Sequence, residues 1–342
     1  MHRWGFLTFG WWSEAPGSKV RSPRELMVDT LRLAGAAEDA GLDGAWLRVH
    51  HWEHNISSPF PLLAAMGALT ERIELGTAVV PMRYENPLTM AEAAATADLV
   101  SGGRLQVGVS RGGPEHALDG PAEFGHLLHD GVTAAADAAR RIALFRRAIG
   151  GAGIAEPGPQ AHVHEGERLP LTPFAPGLTE RIWYGAGSTD SARHAGELGM
   201  HLLSSTLVLE ATGEPLHVVQ ARQIEEFRSA WHKAGHMGEP RVAVSRSILP
   251  IVDDETLTMF APHLERDRMG ANQDQIGEID NAVSTFGKTY VGTLDKLEAE
   301  LREDDAVTSA DTLLATLPNQ LGADFNAKVL AALADLKGAL AG

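Results

Sequence analysis

Residues 70–113 read TERIELGTAVVPMRYENPLTMAEAAATADLVSGGRLQVGVSRGG. Two apolar runs, at 73–80 and 105–109, flank a stretch whose apolar residues have helical spacing, so the segment predicts a strand, a helix and a second strand. Each apolar run is followed by polar residues, at 81–86 and at 110–113. Because parallel α/β barrels build their active sites at the carboxyl ends of strands, these two loops are candidate functional loops.

Strand-like and helix-like patterns alternate along most of the 342 residues, which favours a mainly parallel sheet. Strands are predicted at residues 4–9, 44–49, 73–80, 105–109, 181–184, 201–204, 241–252 and 312–317. Helices are predicted at residues 23–40, 61–70, 88–99, 134–149, 191–198, 217–235, 294–303 and 323–340. Eight strands with intervening helices favour a closed (β/α)8 TIM barrel over an open doubly wound sheet.

Two segments interrupt the alternation, around residues 114–180 and 253–288. Long excursions from a compact domain are usually functional loops or lids, so the second segment is a candidate lid over the site. The chain contains no composition shift or linker that would divide it. We therefore predict one barrel domain over residues 1–342, with insertions at these two places.

The composition indicates an acidic globular protein. Hydrophobic residues make up 44% of the chain, which is enough for a sizeable core, and the formal net charge of −16 disfavours nucleic acid as a partner. The absence of cysteine excludes disulfides and thiolate chemistry. The start lacks a signal-peptide pattern, and no apolar window reaches the length of about 18 residues that a membrane span needs. We therefore expect a cytoplasmic protein that does not enter a membrane.

Arg111 directly follows the predicted fourth strand. Gly112 and Gly113 come next and allow close backbone approach, which suits a bound phosphate. The alternative is an arginine that pairs with a neighbouring carboxylate on the barrel rim. Position alone leaves both interpretations open.

Residues 185–191, GAGSTDS, follow the predicted fifth strand and open a helix. Backbone amides at a helix start, with serine hydroxyls nearby, form an anion site. A dinucleotide-binding motif is disfavoured because Asp190 stands where the third glycine would be. A plain strand-to-helix turn with a Ser/Asp cap remains the alternative.

His50 and His51 follow the predicted second strand within the sequence HHWEH. A metal site is one interpretation, but adjacent histidines at a strand end point in different directions. An acid, a base or a hydrogen-bond donor to a ligand is favoured, with surface histidines as the alternative. After the third strand, residues 83–86, which end at Asn86, form a polar cluster that either contacts ligand or contains an Arg83–Glu85 pair.

The order and spacing of five motifs resemble the luciferase-like flavin-dependent monooxygenases, the relatives of bacterial luciferase. The motifs are Val49-His50-His51, residues 83–87, residues 101–104, residues 108–112 and residues 185–191. The resemblance runs over nearly the whole chain and implies a bacterial luciferase-like barrel that binds reduced FMN non-covalently at its C-terminal face. One departure stands out, because Val49 occupies the place of the glutamate in the family's Glu-His-His pattern.

The resemblance also implies roles for individual residues. It assigns the flavin phosphate to Arg111 and to the loop after the fifth strand, and it places an unusual cis peptide near Thr77-Ala78. The expected catalytic residues are His50 and His51, and no metal ligand is expected. The expected cofactor-binding residues are Thr77, Ala78, Asn86, Ser110, Arg111, Gly185, Gly187, Ser188 and Ser191.

The function implied is an FMN-dependent oxidoreductase, a monooxygenase that uses reduced flavin and O2 on a small organic substrate. Electrons would come from a flavin reductase or from NAD(P)H, and the resemblance implies a homodimer. Two alternatives stay open on the same fold. One is hydride transfer with the deazaflavin F420, and the other is a non-catalytic flavin-binding protein or a subunit of a heteromeric enzyme.

Overall fold

The computed structural model describes residues 3–113, 116–164, 166–279 and 282–341. The strands in these ranges are β1 (Arg3–Thr8), β2 (Gly44–Leu47), β3 (Glu74–Pro81), β4 (Leu105–Ser110), β5 (Gly153–Ala155), β6 (Leu169–Pro170), β7 (Ile182–Ala186), β8 (His201–Ser204), β9 (Leu207–Val208), β10 (Val242–Pro250), β11 (Gln275–Ile279), β12 (Ala282–Phe286), β13 (Thr289–Gly292) and β14 (Thr312–Thr316). The helices are α1 (Pro23–Ala40), α2 (Pro59–Leu69), α3 (Pro87–Val100), α4 (Gly120–Glu123), α5 (Ala134–Ile149), α6 (Thr189–Glu197), α7 (Leu216–Lys233), α8 (Asp254–Arg268), α9 (Leu294–Arg302), α10 (Asp305–Ser309) and α11 (Gly322–Ala341).

Eight parallel strands close into a barrel. Their order around it is β1, β2, β3, β4, β7, β8, β10 and β14, and pairing of β14 with β1 completes the circle. Each of them lies within one or two residues of a predicted strand, so the predicted (β/α)8 barrel is confirmed. The long predicted strand at 241–252 is β10, which pairs with β8 near its start and with β13 near its end.

The barrel interior is filled by a compact set of large side chains. It consists of Leu7, Trp46, Trp183, Leu203, Ala243 and Leu314. The two tryptophan rings meet edge to face, with centroids 5.4 Å apart. Gly76 makes room for one of them, because a Cβ at this position would lie 2.2 Å from the Trp46 ring. The barrel interior is therefore filled by side chains, which leaves the carboxyl ends of the strands as the place for a ligand.

The motif at residues 101–104 lies at the other end of the barrel, where the strands begin. Arg104 precedes β4 and donates hydrogen bonds to the carbonyl oxygens of Ser101, Ile73, Gly67 and Thr70 and to the Thr70 hydroxyl, all between 2.7 and 2.9 Å. Gly67 lies in the last turn of α2, whose final carbonyls have no partner within the helix. Arg104 therefore ties α2 to the start of β4, and its role is in folding.

The two predicted insertions contain short structure of their own. The first holds α4 and the antiparallel pair β5–β6, and the second holds α8 and the hairpin formed by β11 and β12. We call the antiparallel strands β11 and β12 together the insertion hairpin. Its second strand pairs with β9, which follows the barrel strand β8 directly. None of the helices in the described ranges is long and apolar enough to cross a membrane.

Candidate active site

The upper ends of β3 and β4 are joined through Thr77. Its buried hydroxyl donates to the Gly108 carbonyl at 2.8 Å and accepts from the Gly108 amide at 2.9 Å. The register between the strands shifts just beyond this point, and the peptide between Ala78 and Val79 is cis, one residue further on than the sequence resemblance placed it. Thr77 therefore links the ends of β3 and β4, while the next two residues, Ala78 and Val79, pack on the barrel interior.

An apolar floor covers the interior at the barrel mouth. It is formed by the half-buried side chains of Phe9, Ala78 and Val79, which pack on the interior cluster. Gly185 at the end of β7 lies beside this floor, since a Cβ added to it would be 3.0 Å from Val79 and 3.4 Å from Ser110. Predicted residues from β3, β4 and β7 are thus neighbours around one apolar floor.

Arg111 stands exposed at the end of β4. The Ser110 hydroxyl accepts from the Gly112 amide at 3.0 Å, and Gly112 has a φ of 97°, a conformation that favours glycine. Burial raises the pKa of Tyr184 on β7, and the nearby charge of Arg111 opposes that rise. Within the described residues, Arg111 has no carboxylate partner, so the rim ion pair that we considered for it is not formed there.

The loop after β7 forms a complete helix cap. Ser188 accepts from the Ser191 amide at 3.3 Å, and Ser191 accepts from the Ser188 amide at 2.9 Å and donates to the Ser188 carbonyl at 2.8 Å. The two hydroxyls are also 3.0 Å apart. The loop is therefore a capped turn that starts α6 beside Gly185, and the anion site stays a prediction.

Asn86 is the N-cap of α3. Its side-chain oxygen accepts from the amides of Leu88 and Thr89, at 3.0 and 3.2 Å. Arg83 and Glu85 do not form the ion pair that we considered, and burial raises the pKa of Glu85. The Arg83 side chain instead approaches the Arg111 loop, because a Cβ on Gly112 would lie 3.6 Å from it.

His50 faces a carboxylate from its own loop. Its Nδ1 lies 3.4 Å from an oxygen of Glu53, whose other oxygen accepts from Asn55 at 2.6 Å. Trp52 between them has a φ of 61°, which turns the chain back on itself. A carboxylate therefore accompanies His50 although Val49 replaces the family glutamate.

His51 is buried in an aromatic cage. Its ring stacks on Tyr84 with centroids 4.5 Å apart, and it meets the edge of Phe124 at 5.1 Å. Burial lowers the pKa of His51 to about 4, and the neighbouring His50 adds to the effect. Burial also lowers the pKa of His50, helped by Arg48 and opposed by Glu53. Both rings are therefore neutral at pH 7.

We expect His51 to stay neutral down to about pH 4. NMR titration of its ring carbon signals checks this, with His51→Gln to assign the resonance. Because the folded pKa lies below the value of about 6.5 for an unfolded histidine, the unfolded chain binds the proton first and stability falls as the pH drops from 6.5 towards 4. A His51 midpoint near 6.5 would contradict the buried placement.

The structure brings together the predicted residues of β3, β4 and β7, and His51 contacts Tyr84 in the loop after β3. Thr77 and Asn86 are engaged in structural hydrogen bonds. Tyr84 belongs to the predicted polar cluster at residues 83–86, whereas Glu53 and Phe124 were not predicted, because they lie on two other loops and no periodicity or spacing marks them. No group of three or more histidine and acidic side chains is arranged to hold a metal ion among the residues described.

Comparisons with known proteins identify the family and the fold of this chain. A profile of the family described as luciferase-like monooxygenase matches residues 7–272, which is more than half of the chain. The oxygenating constituent of 3,6-diketocamphane monooxygenase from Pseudomonas putida, solved in complex with FMN, superposes with a TM-score of 0.71. The superposition covers 98% of this chain and 97% of that one at 16% identity, so it shows a shared fold.

Two relatives match over shorter segments. The oxygenase component of flavin-dependent trigonelline monooxygenase from Acinetobacter baylyi is 30% identical over 28% of this chain. An F420-dependent glucose-6-phosphate dehydrogenase from Nocardia farcinica is 43% identical over 26% of it. Each match spans only 27% of the relative's own length. The family profile, the closed barrel and the motifs together show that this chain belongs to the luciferase-like monooxygenase family.

Proposed function

We propose that this protein is an FMN-dependent monooxygenase that uses reduced flavin and O2 to oxygenate a small organic substrate. The observation that carries the proposal is the exposed Arg111, which has no carboxylate partner among the described residues and follows Ser110 beside an apolar floor at the barrel mouth. An exposed cation near apolar side chains matches a ligand that has an apolar ring system and a phosphate. Because the relatives include flavin-dependent and F420-dependent oxidoreductases, we expect this protein to be an oxidoreductase.

The residues present fit the two ends of FMN. Phe9, Ala78 and Val79 offer apolar contact to a ring system, and Gly185 leaves the adjoining wall without a side chain. Arg111 would bind the phosphate, since a guanidinium can donate two parallel hydrogen bonds to phosphate oxygens. When bound, reduced FMN supplies electrons to O2, and the protein's task is to bind, orient and exclude water.

His50 and Glu53 would handle a proton near the flavin. A neutral imidazole can accept a proton at one nitrogen while a carboxylate holds the proton on the other. The 3.4 Å approach of Glu53 to Nδ1 of His50 favours a proton on that nitrogen. His51, caged by Tyr84 and Phe124, would support the shape of this wall rather than exchange protons at neutral pH.

The remaining parts of the proposal come from the family. Electrons would come from a separate flavin reductase or from NAD(P)H. The trigonelline relative is an oxygenase component, which implies a second component in that system. The protein would act in the cytoplasm, and as a homodimer.

F420-dependent hydride transfer is the second candidate. It is favoured by the 43% identity to an F420-dependent dehydrogenase over 96 residues. The side chain of Arg83 approaches the glycine that follows Arg111, so two cations are available to an anionic tail. The net charge of −16 does not favour a ligand with several carboxylates.

Fluorescence titration of the purified protein with FMN and with F420, each oxidised and reduced, decides between them. We expect FMN to bind at least tenfold more tightly than F420, because the acidic chain disfavours the several carboxylates of F420 while Arg111 is available to the phosphate of FMN. Oxygen uptake with reduced FMN, measured with and without protein, then tests for a monooxygenase. Binding of F420 alone would replace the proposal by hydride transfer.

A further inference from the structure

The first turn of α6 already binds a carboxylate of this chain. The Thr189 amide donates to one oxygen of Glu210 at 2.7 Å, and the Thr189 hydroxyl donates to the other at 3.1 Å. The start of a helix stabilises negative charge, and its first amides have no partner within the helix. Glu210 therefore occupies a position that an anionic ligand would otherwise take.

The other polar groups of this turn are not open to a ligand. The Ser188 and Ser191 hydroxyls bond to each other and within the turn. Breaking those bonds would remove the cap of α6. Thr189 is different, because its donors can exchange one anion for another and leave the capping box intact.

Glu210 is held in place from two further sides. Buried Gln223 on α7 donates to the same carboxylate at 3.0 Å, and the Leu209 amide donates to the Gly187 carbonyl at 2.6 Å. A Cβ on Gly187 would lie 3.1 Å from the Leu209 side chain. Residues 209–210 thus lie directly against the loop that the sequence predicts as a phosphate site.

The same short segment is connected to the insertion hairpin. The Glu210 carbonyl accepts from the buried Thr285 hydroxyl at 2.7 Å. Two residues earlier, Val208 in β9 pairs with Thr285 in β12. A displacement of the Glu210 carboxylate would therefore act on a residue that also anchors the hairpin.

We propose that Glu210 is a specificity-determining residue that competes with the cofactor's phosphate for the start of α6. This inference rests on the proposed flavin function. A carboxylate and a phosphate repel each other when both lie near one amide in a half-buried site. The phosphate binds in exchange for Glu210, while a flavin without phosphate leaves Glu210 on Thr189. The exchange loosens the contact between residue 210 and Thr285.

The test compares FMN with riboflavin, which differ by the phosphate, in wild type, Glu210→Gln and Glu214→Gln. Glutamine keeps an acceptor for the Thr189 amide but loses the charge. We expect Glu210→Gln to bind FMN about tenfold more tightly than wild type does, because the substitution removes the repulsion between the carboxylate and the phosphate. Its affinity for riboflavin, which has no phosphate, should stay within about twofold of wild type. Glu214 is exposed, pairs with Arg222, and controls for net charge in the same segment.

The outcomes separate this inference from the proposed function. Unchanged FMN affinity in Glu210→Gln, or an equal gain for both flavins, overturns the role of Glu210 while the flavin proposal stands. If neither flavin binds any variant, the FMN proposal is wrong. The role of Glu210 then requires that Glu210→Gln binds F420 more tightly than wild type does, with unchanged affinity for the phosphate-free chromophore of F420. Failure of all four ligands overturns both.

Amide hydrogen exchange tests the link to the hairpin. We expect FMN, but not riboflavin, to raise exchange in the amides of β12 in the wild-type protein. Thermal unfolding of Glu210→Gln verifies that the variant is folded. Equal exchange in β12 with both flavins overturns the coupling between phosphate and hairpin.

Discussion

Asp304→Asn is expected to lower the free energy of unfolding by roughly 3–5 kcal/mol. Asp304 is fully buried and accepts from Arg246 at 2.7 and 2.9 Å and from the Tyr290 hydroxyl at 2.5 Å. Arg246 is also buried, so the substitution leaves its charge uncompensated away from water. Urea unfolding followed by circular dichroism measures the change.

The matched control is Glu298→Gln. Glu298 also pairs with an arginine, Arg302 at 2.8 Å, but the two side chains are 30% and 49% exposed, so this pair stays in contact with water. Exposed pairs contribute about 0–1 kcal/mol, so this variant should unfold close to wild type. Equal stability losses in the two variants would contradict the assignment of Asp304 as a buried anchor.

The pH dependence of the Asp304 contribution has a definite sign. Burial alone would raise the pKa of Asp304, but Arg246 and the hydrogen bonds to it bring the pKa below the usual value of 3.8. A carboxyl with a depressed pKa stabilises the fold above its unfolded value and loses that contribution as the pH falls through the folded one. The stability difference between wild type and Asp304→Asn should therefore shrink only below about pH 4.

Arg104→Ala is expected to cost roughly 3 kcal/mol, because it leaves several partly buried carbonyl oxygens without a donor. Arg104→Lys should recover only part of the loss, since an ammonium cannot reach acceptors that a planar guanidinium spans. Flavin affinity should stay unchanged in molecules that remain folded, because Arg104 lies at the amino end of β4.

Arg302→Ala is the control for Arg104. Arg302 is about half exposed and contacts Glu298 and one carbonyl oxygen of α11, so its loss should cost less than about 1 kcal/mol. A loss of flavin binding in folded Arg104→Ala, with little change in stability, would mean that this motif belongs to the site.

The barrel could be predicted from sequence because strands and helices alternate with clear hydrophobic patterns. The strand at 105–109 became β4, and even the short run at 201–204 became β8. The insertion hairpin was harder to predict, since Gln275–Ile279 mixes polar and apolar residues and is largely exposed. Its strands are specified by pairing with each other and with β9, which local sequence does not encode.

The site was predictable only in part. Arg111 and Gly185 follow strands directly, so the barrel geometry places them at the mouth without further information. Asn86 and Ser188 also follow strands, but each caps the next helix, and sequence position cannot separate a cap from a ligand contact. Glu210 lies 21 residues from its partner Thr189, and such a pairing is visible only after folding.

Flavin binding at the mouth of the barrel, with its phosphate on Arg111, is tested most directly by titrating Arg111→Ala with FMN and riboflavin. Arg147→Ala, which removes an equal charge from the exposed face of α5, is the control. We predict that Arg111→Ala weakens FMN binding by about tenfold to a hundredfold and leaves riboflavin binding unchanged, because only the phosphate loses a charged partner. Equal FMN affinity in Arg111→Ala, Arg147→Ala and wild type would contradict the account.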